Sequence, residues 1–173
     1  MKKLRYGTIF WITGLSGSGK TSIAKKITKY ISKKYGPTIC ISGDELRKTF
    51  KLKGYGKKER LEIGKKYINF INLIVRQKIN VIFAVVGLFH ELQKLNKKKF
   101  PNYIEIYIKS NFQKVKSKRK KNFYKKKTTN VWGQDIKPEF PKTPHIIINN
   151  KFDKDINKLS SELKKKIDKI LTI

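Results

Sequence analysis

The chain predicts an α/β fold: a five-stranded parallel sheet with helices on both faces and a basic lid. Three observations carry that prediction. Short apolar runs alternate with longer segments of helical period. Two of the runs, INVIFAVVG (79–87) and PHIIINN (144–150), are almost continuously apolar, as strands covered on both faces must be. A third run, TIFWIT (8–13), ends in a glycine-rich turn, GLSGSGKTS, before a helical segment. In such a fold, ligands bind beyond the carboxyl ends of the strands. At 173 residues the chain is expected to form one domain, 1–173, burying roughly 70% of its unfolded surface.

Each element has its own signal. Thr8–Thr13 reads as the first core strand and Lys20–Lys33 as the helix after the turn. PTICIS (37–42) is a short β-rich run, in which Cys40 is expected to be buried. GDELRKTF starts a short helix with Asp44 near its N-terminus. Residues 57–78 carry Leu61, Tyr67, Phe70, Ile71, Ile74 and Val75 at helical spacing. The strand at 79–87 follows, then a helical stretch at 88–98. NYIEIYIKS (102–110) alternates with period two, and PHIIINN is the last strand. DKDINKLSSELKKKIDKI closes the chain as an amphipathic helix. Residues 111–143 fit neither period; they hold the lysine cluster KSKRKKNFYKKK and then Pro138 and Pro141, with Pro144 directly after, and predict a lid or binding loop.

Composition narrows the class. One cysteine means no disulfide framework, and a reducing cytoplasm is the expected location. MKKLRYGTIFWITG begins like a signal peptide, yet its apolar part is far shorter than the roughly 20 residues that span a bilayer. No membrane partner is expected. The net charge of +31 invites a nucleic-acid reading, with the glycine-rich turn as a relic. Only five of the 43 basic residues are arginine, however, and they are spread over helices rich in Ile and Asn. A built nucleic-acid site clusters arginine and interleaves aromatics, so no dedicated nucleic-acid partner is expected.

The turn from Gly14 to Thr21, GLSGSGKT, fits G-x-x-x-x-G-K-[ST], and it lies between a strand and a helix, where that pattern has meaning. An ordinary glycine-rich turn is the bland reading; a lysine and a hydroxyl both in register argue against it. Gly14, Gly17 and Gly19 can take positive φ and let backbone N–H groups curl around phosphate oxygens. The loop Gly14, Leu15, Ser16, Gly17, Ser18, Gly19, Lys20, Thr21 and Ser22 is therefore the expected ATP site. Lys20 would reach the β/γ-phosphates and Thr21 would ligate Mg²⁺.

With this loop, SGDELR (42–47), Arg60 and FYKKK (123–127) placed in order, nearly the whole chain resembles the adenylylsulfate kinases. These are small enzymes that phosphorylate a nucleotide's ribose 3′-hydroxyl with MgATP. The resemblance implies a homodimer. It implies that Asp44 deprotonates or polarises the 3′-hydroxyl and helps hold Mg²⁺, although an N-cap role for Asp44 is compatible with its position. It implies that Arg47 and Arg60 hold the charged end of the acceptor nucleotide and that Tyr55 stacks on its base. The second stacking residue falls on Val131 without a gap, but the adjacent Trp132 suits stacking better. Phe123, Tyr124, Lys125 and Lys126 match the family's lid, whose lysines neutralise phosphate; a solvated lysine run is the plain alternative.

Departures from the family bear on the acceptor. Ser42 stands where the family has the first aspartate of Asp-Gly-Asp, and Ile63 where it has asparagine. Val86, Gly87, Leu88, Phe89 and His90 stand on its Ile-Ser-Pro-Tyr-Arg. The 3′-hydroxyl machinery is kept while the surroundings of the acceptor's far end change. In this pattern the chain resembles members of the family that act on cytidine diphosphoramidate, and that resemblance implies cytidine diphosphoramidate as the acceptor, with adenylylsulfate as the alternative.

Overall fold

The computed structural model describes residues 5–118 and 130–172. Five parallel strands form one sheet: β1 (Ile9–Thr13), β2 (Thr38–Ser42), β3 (Asn80–Ala84), β4 (Tyr103–Lys109) and β5 (Ile146–Asn149), in the order β2-β3-β1-β4-β5. Among the described residues the helices are α1 (Lys20–Tyr35), α2 (Gly43–Thr49), α3 (Lys57–Val75), α4 (His90–Lys99), α5 (Phe112–Lys118) and α6 (Ile156–Leu171). β1 is central, so the turn that follows it opens in the middle of the sheet's carboxyl edge.

Alternation along each strand sends side chains to two cores. Phe10 and Ile12 of β1, Ile82 of β3 and Ile104, Ile106 and Ile108 of β4 pack with Ile23, Ile27 and Ile31 of α1 and Leu159, Leu163 and Ile167 of α6. Ile9 and Trp11, with Val81 and Phe83, pack on the opposite face with Tyr67, Ile68, Ile71 and Val75 of α3 and Leu92 of α4. Burial on both faces explains β1 and β3, which are buried throughout.

The structure corrects four expectations. β4 is buried at six consecutive positions, although its sequence alternates, because Glu105 and the tyrosines at 103 and 107 are covered as well. β5 alternates buried and exposed, since it is an edge strand with one neighbour. Cys40 is only half-buried because β2 is the other edge, and its partial burial pushes the thiol pKa up. Residues 111–143 are not one irregular loop: α5 begins the segment, and Val115, Val131, Trp132 and Ile136 are buried. Beyond them Glu139 holds the start of α4. Its carboxylate accepts from His90 N–H at 2.8 Å, and its own N–H donates to the Leu88 carbonyl at 3.0 Å.

Candidate active site

β1 ends at Thr13, whose hydroxyl donates to the Val86 carbonyl and so ties the two central strand ends together. The turn beyond it is built on left-handed backbone at Gly14, Gly17 and Gly19, with φ of 147°, 86° and 95°. A Cβ on Gly14 would lie 2.6 Å from the Ile108 carbonyl oxygen, so glycine is required there by contact as well as by backbone angle. Gly19 caps α1 without a side-chain hydrogen bond. The first-turn N–H groups are the ones an anion at a helix N-terminus uses.

The predicted loop residues divide into two groups. Ser16, Gly17, Gly19, Lys20, Thr21 and Ser22 line a cavity of about 320 Å³. Leu15 and Ser18 do not line it. Leu15 is buried in the core, Ser18 is fully buried, and Gly14 backs onto β4. Leu15 contributes its carbonyl instead, accepting from Lys20 Nζ at 2.8 Å. Asn150, which sequence reasoning missed, fixes the loop from outside: its side-chain amide donates to the Ser18 carbonyl at 2.9 Å. A buried asparagine just after β5 is the only sequence signal for it.

Asp44 lines the same cavity from the first turn of α2. It is not the N-cap. Ser42 is, with its hydroxyl accepting from Glu45 N–H at 3.2 Å while Glu45 Oε2 accepts from Ser42 N–H at 2.7 Å. The Ser42 hydroxyl also donates to Glu45 Oε2 at 2.8 Å, and that bond first, with the one from Ser42 N–H second, holds the Glu45 carboxyl below its usual range. With the cap supplied elsewhere, the Asp44 carboxylate accepts no hydrogen bond from a described residue and is available to the cavity.

Arg47 and Arg60 line the cavity beside it. Their guanidiniums are held by carbonyls: Arg47 donates to Gly54 at 2.8 Å, and Arg60 donates to Tyr55 at 2.6 Å and Asn130 at 2.9 Å. Burial first, and the Arg47 charge second, pull Arg60 below its ordinary pKa. Two like charges held this close favour an anion between them.

Tyr55 is not a wall of the cavity. The residue is 55% exposed, and its ring is covered by both cations, with Arg47 at 4.5 Å and Arg60 at 5.3 Å from its centroid. Trp132 does line the cavity; it is buried and packs edge-on against Phe89 at 4.9 Å. Val131 packs with Val115 in a separate small cluster. Lys125 and Lys126, with Phe123 and Tyr124, lie outside the described residues.

Of the positions that depart from the family's pattern, Ile63, Val86, Gly87 and Phe89 line the cavity. Leu88 belongs to the core, and His90 turns away so that its Nε2 lies 3.0 Å from the Phe140 carbonyl. Trp11, Tyr67, Val85 and Leu92 also line the cavity, and no local pattern marked them, because each reads as an ordinary core residue.

A central strand, a phosphate-cradling turn with its lysine, and a carboxylate opposite that turn define a P-loop phosphotransferase. The comparisons narrow the class. The adenylylsulphate kinase family model matches residues 6–149, and the chain belongs to that family. It is therefore an ATP-dependent nucleotide kinase of the adenylylsulfate kinase type. It is 33% identical to a cytidine diphosphoramidate kinase of Campylobacter jejuni, over 82% of this chain and 85% of that protein. It is 26% identical to a probable adenylyl-sulfate kinase of Aeropyrum pernix, over 96% of this chain and 98% of the relative. An adenylylsulfate kinase of Mycobacterium tuberculosis, solved in complex with AMPPNP and APS, shares the fold with a TM-score of 0.84 at 22% identity, covering 95% of this chain and 99% of that one. Among the described residues no helix is long and apolar enough to cross a membrane.

Proposed function

We propose that the protein transfers the γ-phosphoryl group of ATP to the ribose 3′-hydroxyl of cytidine diphosphoramidate, with adenylylsulfate as the alternative acceptor. The observation that carries the choice of acceptor is the wall formed by Ile63, Val85, Gly87, Phe89 and Leu92 next to Asp44 and the two arginines. Ile63 and Gly87 replace an asparagine and a serine of the family's pattern at this wall. A sulfate oxygen only accepts hydrogen bonds, so removing polar side chains there weakens the case for sulfate. The 33% identity to the Campylobacter kinase, against 26% for the Aeropyrum relative, supports the same choice.

In this reading the loop amides and Lys20 hold the β/γ-phosphates and stabilise the charge that develops on them. Asp44 takes the 3′-hydroxyl proton as the new bond to the γ-phosphorus forms and the bond to the ADP oxygen breaks. Arg47 and Arg60 clamp the acceptor's diphosphate-type end. Trp132, propped by Phe89, stacks on the base, while the lid lysines Lys125 and Lys126 add positive charge. Among the described residues no cluster of three His, Cys, Asp or Glu side chains forms a metal site. That fits Mg²⁺, which is bound largely by phosphates and water; here the Thr21 hydroxyl and Asp44 would be its protein ligands. When bound, it neutralises the phosphate charge. The reading extends to a homodimer in the cytoplasm.

A coupled ATPase assay with the two acceptors side by side tests the proposal. Higher kcat/KM for cytidine diphosphoramidate is expected; an equal or higher value for adenylylsulfate overturns the choice of acceptor.

A further inference from the structure

A second cavity of about 230 Å³ opens beside α4, away from the residues used above. Its floor is Glu105, in the middle of β4, and its rim carries Lys94 and Lys97 of α4, Lys142 of the loop before β5, and His90. Glu105 is 1% exposed. Its Oε1 has no hydrogen-bond partner among the described residues. Its backbone N–H donates to His145 Nδ1 at 3.0 Å, which fixes the neighbouring imidazole as an acceptor. Burial pushes the Glu105 carboxyl up, while Lys97, the Tyr103 hydroxyl and His90 act the other way.

This arrangement states what would fit. A buried acceptor oxygen without a partner costs free energy until a donor reaches it. Three ammonium groups around the same space call for negative charge. A cation satisfies the carboxylate and is repelled by the lysines. A fully deprotonated oxyanion satisfies the lysines and is repelled by Glu105. An oxyanion that keeps a proton satisfies both.

We propose that this cavity is a binding site for inorganic hydrogen phosphate, with Glu105 accepting a hydrogen bond from the protonated oxygen and Lys94, Lys97 and Lys142 facing the others. The volume exceeds one phosphate and leaves room for several waters, each taking roughly 30 Å³. His90, on the rim, directly follows Phe89 in the active-site wall, so an occupant would lie one residue from the catalytic cavity. The proposal does not rest on the identity of the acceptor.

The chain has two histidines; His90 lines this cavity and His145 accepts from the Glu105 N–H, so their ring NMR signals report on it locally. The full-length protein, with MgADP saturating the P-loop, is titrated at constant ionic strength with phosphate, sulfate and glycerol 3-phosphate. At about pH 8 all three are dianions, and only hydrogen phosphate retains a proton on an oxygen of the anionic group. Saturable movement of the His90 signal is expected for phosphate at an affinity roughly tenfold or more above the other two. Glu105→Gln presents an amide donor and should erase that preference. Lys142→Ala, an exposed loop substitution, should weaken phosphate binding and leave the fold unchanged. Equal response to sulfate and phosphate in the unmodified protein, or no saturable movement of either ring, overturns the proposal.

Discussion

Replacing Trp132 by alanine separates two roles that the structure gives to one side chain. The indole is 4% exposed, packs on Phe89 at 4.9 Å, and borders the cavity next to Arg60 and Ile63. Truncating a buried Trp or Phe typically costs about 3–5 kcal/mol. The lower end applies here, because one side of the ring already faces open space. For a chain of this length about 3 kcal/mol corresponds to a fall in Tm of roughly 6–12 °C. If the ring also stacks on the acceptor base, that contact is worth about 1–3 kcal/mol, so the acceptor KM should rise roughly 5- to 150-fold. The KM for ATP should stay within about twofold, because ATP is bound by the loop on the other side of the reacting phosphate. Trp132→Phe should recover most of both losses. The assays are steady-state kinetics with each substrate varied in turn and thermal unfolding of the same preparations. A lower Tm with an unchanged acceptor KM would refute the stacking role and leave Trp132 as an anchor of the lid segment.

Four other outcomes follow from the geometry. Lys20→Ala should lower kcat by roughly 10²–10³ while circular dichroism stays unchanged; near wild-type kcat removes the P-loop assignment. Asp44→Asn should cut kcat far more than it raises the ATP KM and should leave helix content intact, since Ser42 and Glu45 cap α2; a loss confined to KM would make Asp44 a binding group. Gly64→Ala would place a Cβ 2.4 Å from Leu92 Cδ1 where α3 meets α4, and overpacking of this kind costs about 1–3 kcal/mol, read as a shift in the urea midpoint. The Glu45 carboxyl has a lowered pKa in the folded protein, so its contribution is fully present above its unfolded value of 4.5 and is lost as pH falls through the lower folded value. Glu45→Gln should therefore flatten the acid side of the stability profile, and an unchanged acid limb would show that the cap does not titrate.

The sequence by itself determined the parts of this protein that depend on local chemistry. Five apolar runs and the helical periods between them are set by residue order alone, so the element order and the parallel sheet were legible. Glycines at 14, 17 and 19 with Lys20 and Thr21 form a loop whose geometry depends on neighbours within a few residues, and its cradle was legible for the same reason. Only the tertiary structure decided which side chains share the cavity. Leu15 and Ser18 lie inside the motif yet are buried in the protein, and Asn150, just after β5, reaches the loop from 132 residues beyond Ser18. Ser42 rather than Asp44 caps α2, which depends on a reciprocal bond to Glu45 that spacing permits but does not require. Tyr55 is taken up by two guanidiniums, and Phe89 and Trp132 meet across 43 residues of chain. Glu105 looks like the polar face of an alternating strand, yet it is covered by α4 and the loop before β5. A strand's own sequence sets which way each side chain faces, but burial is set by what the rest of the chain packs against that face, and that packing is a property of the whole fold.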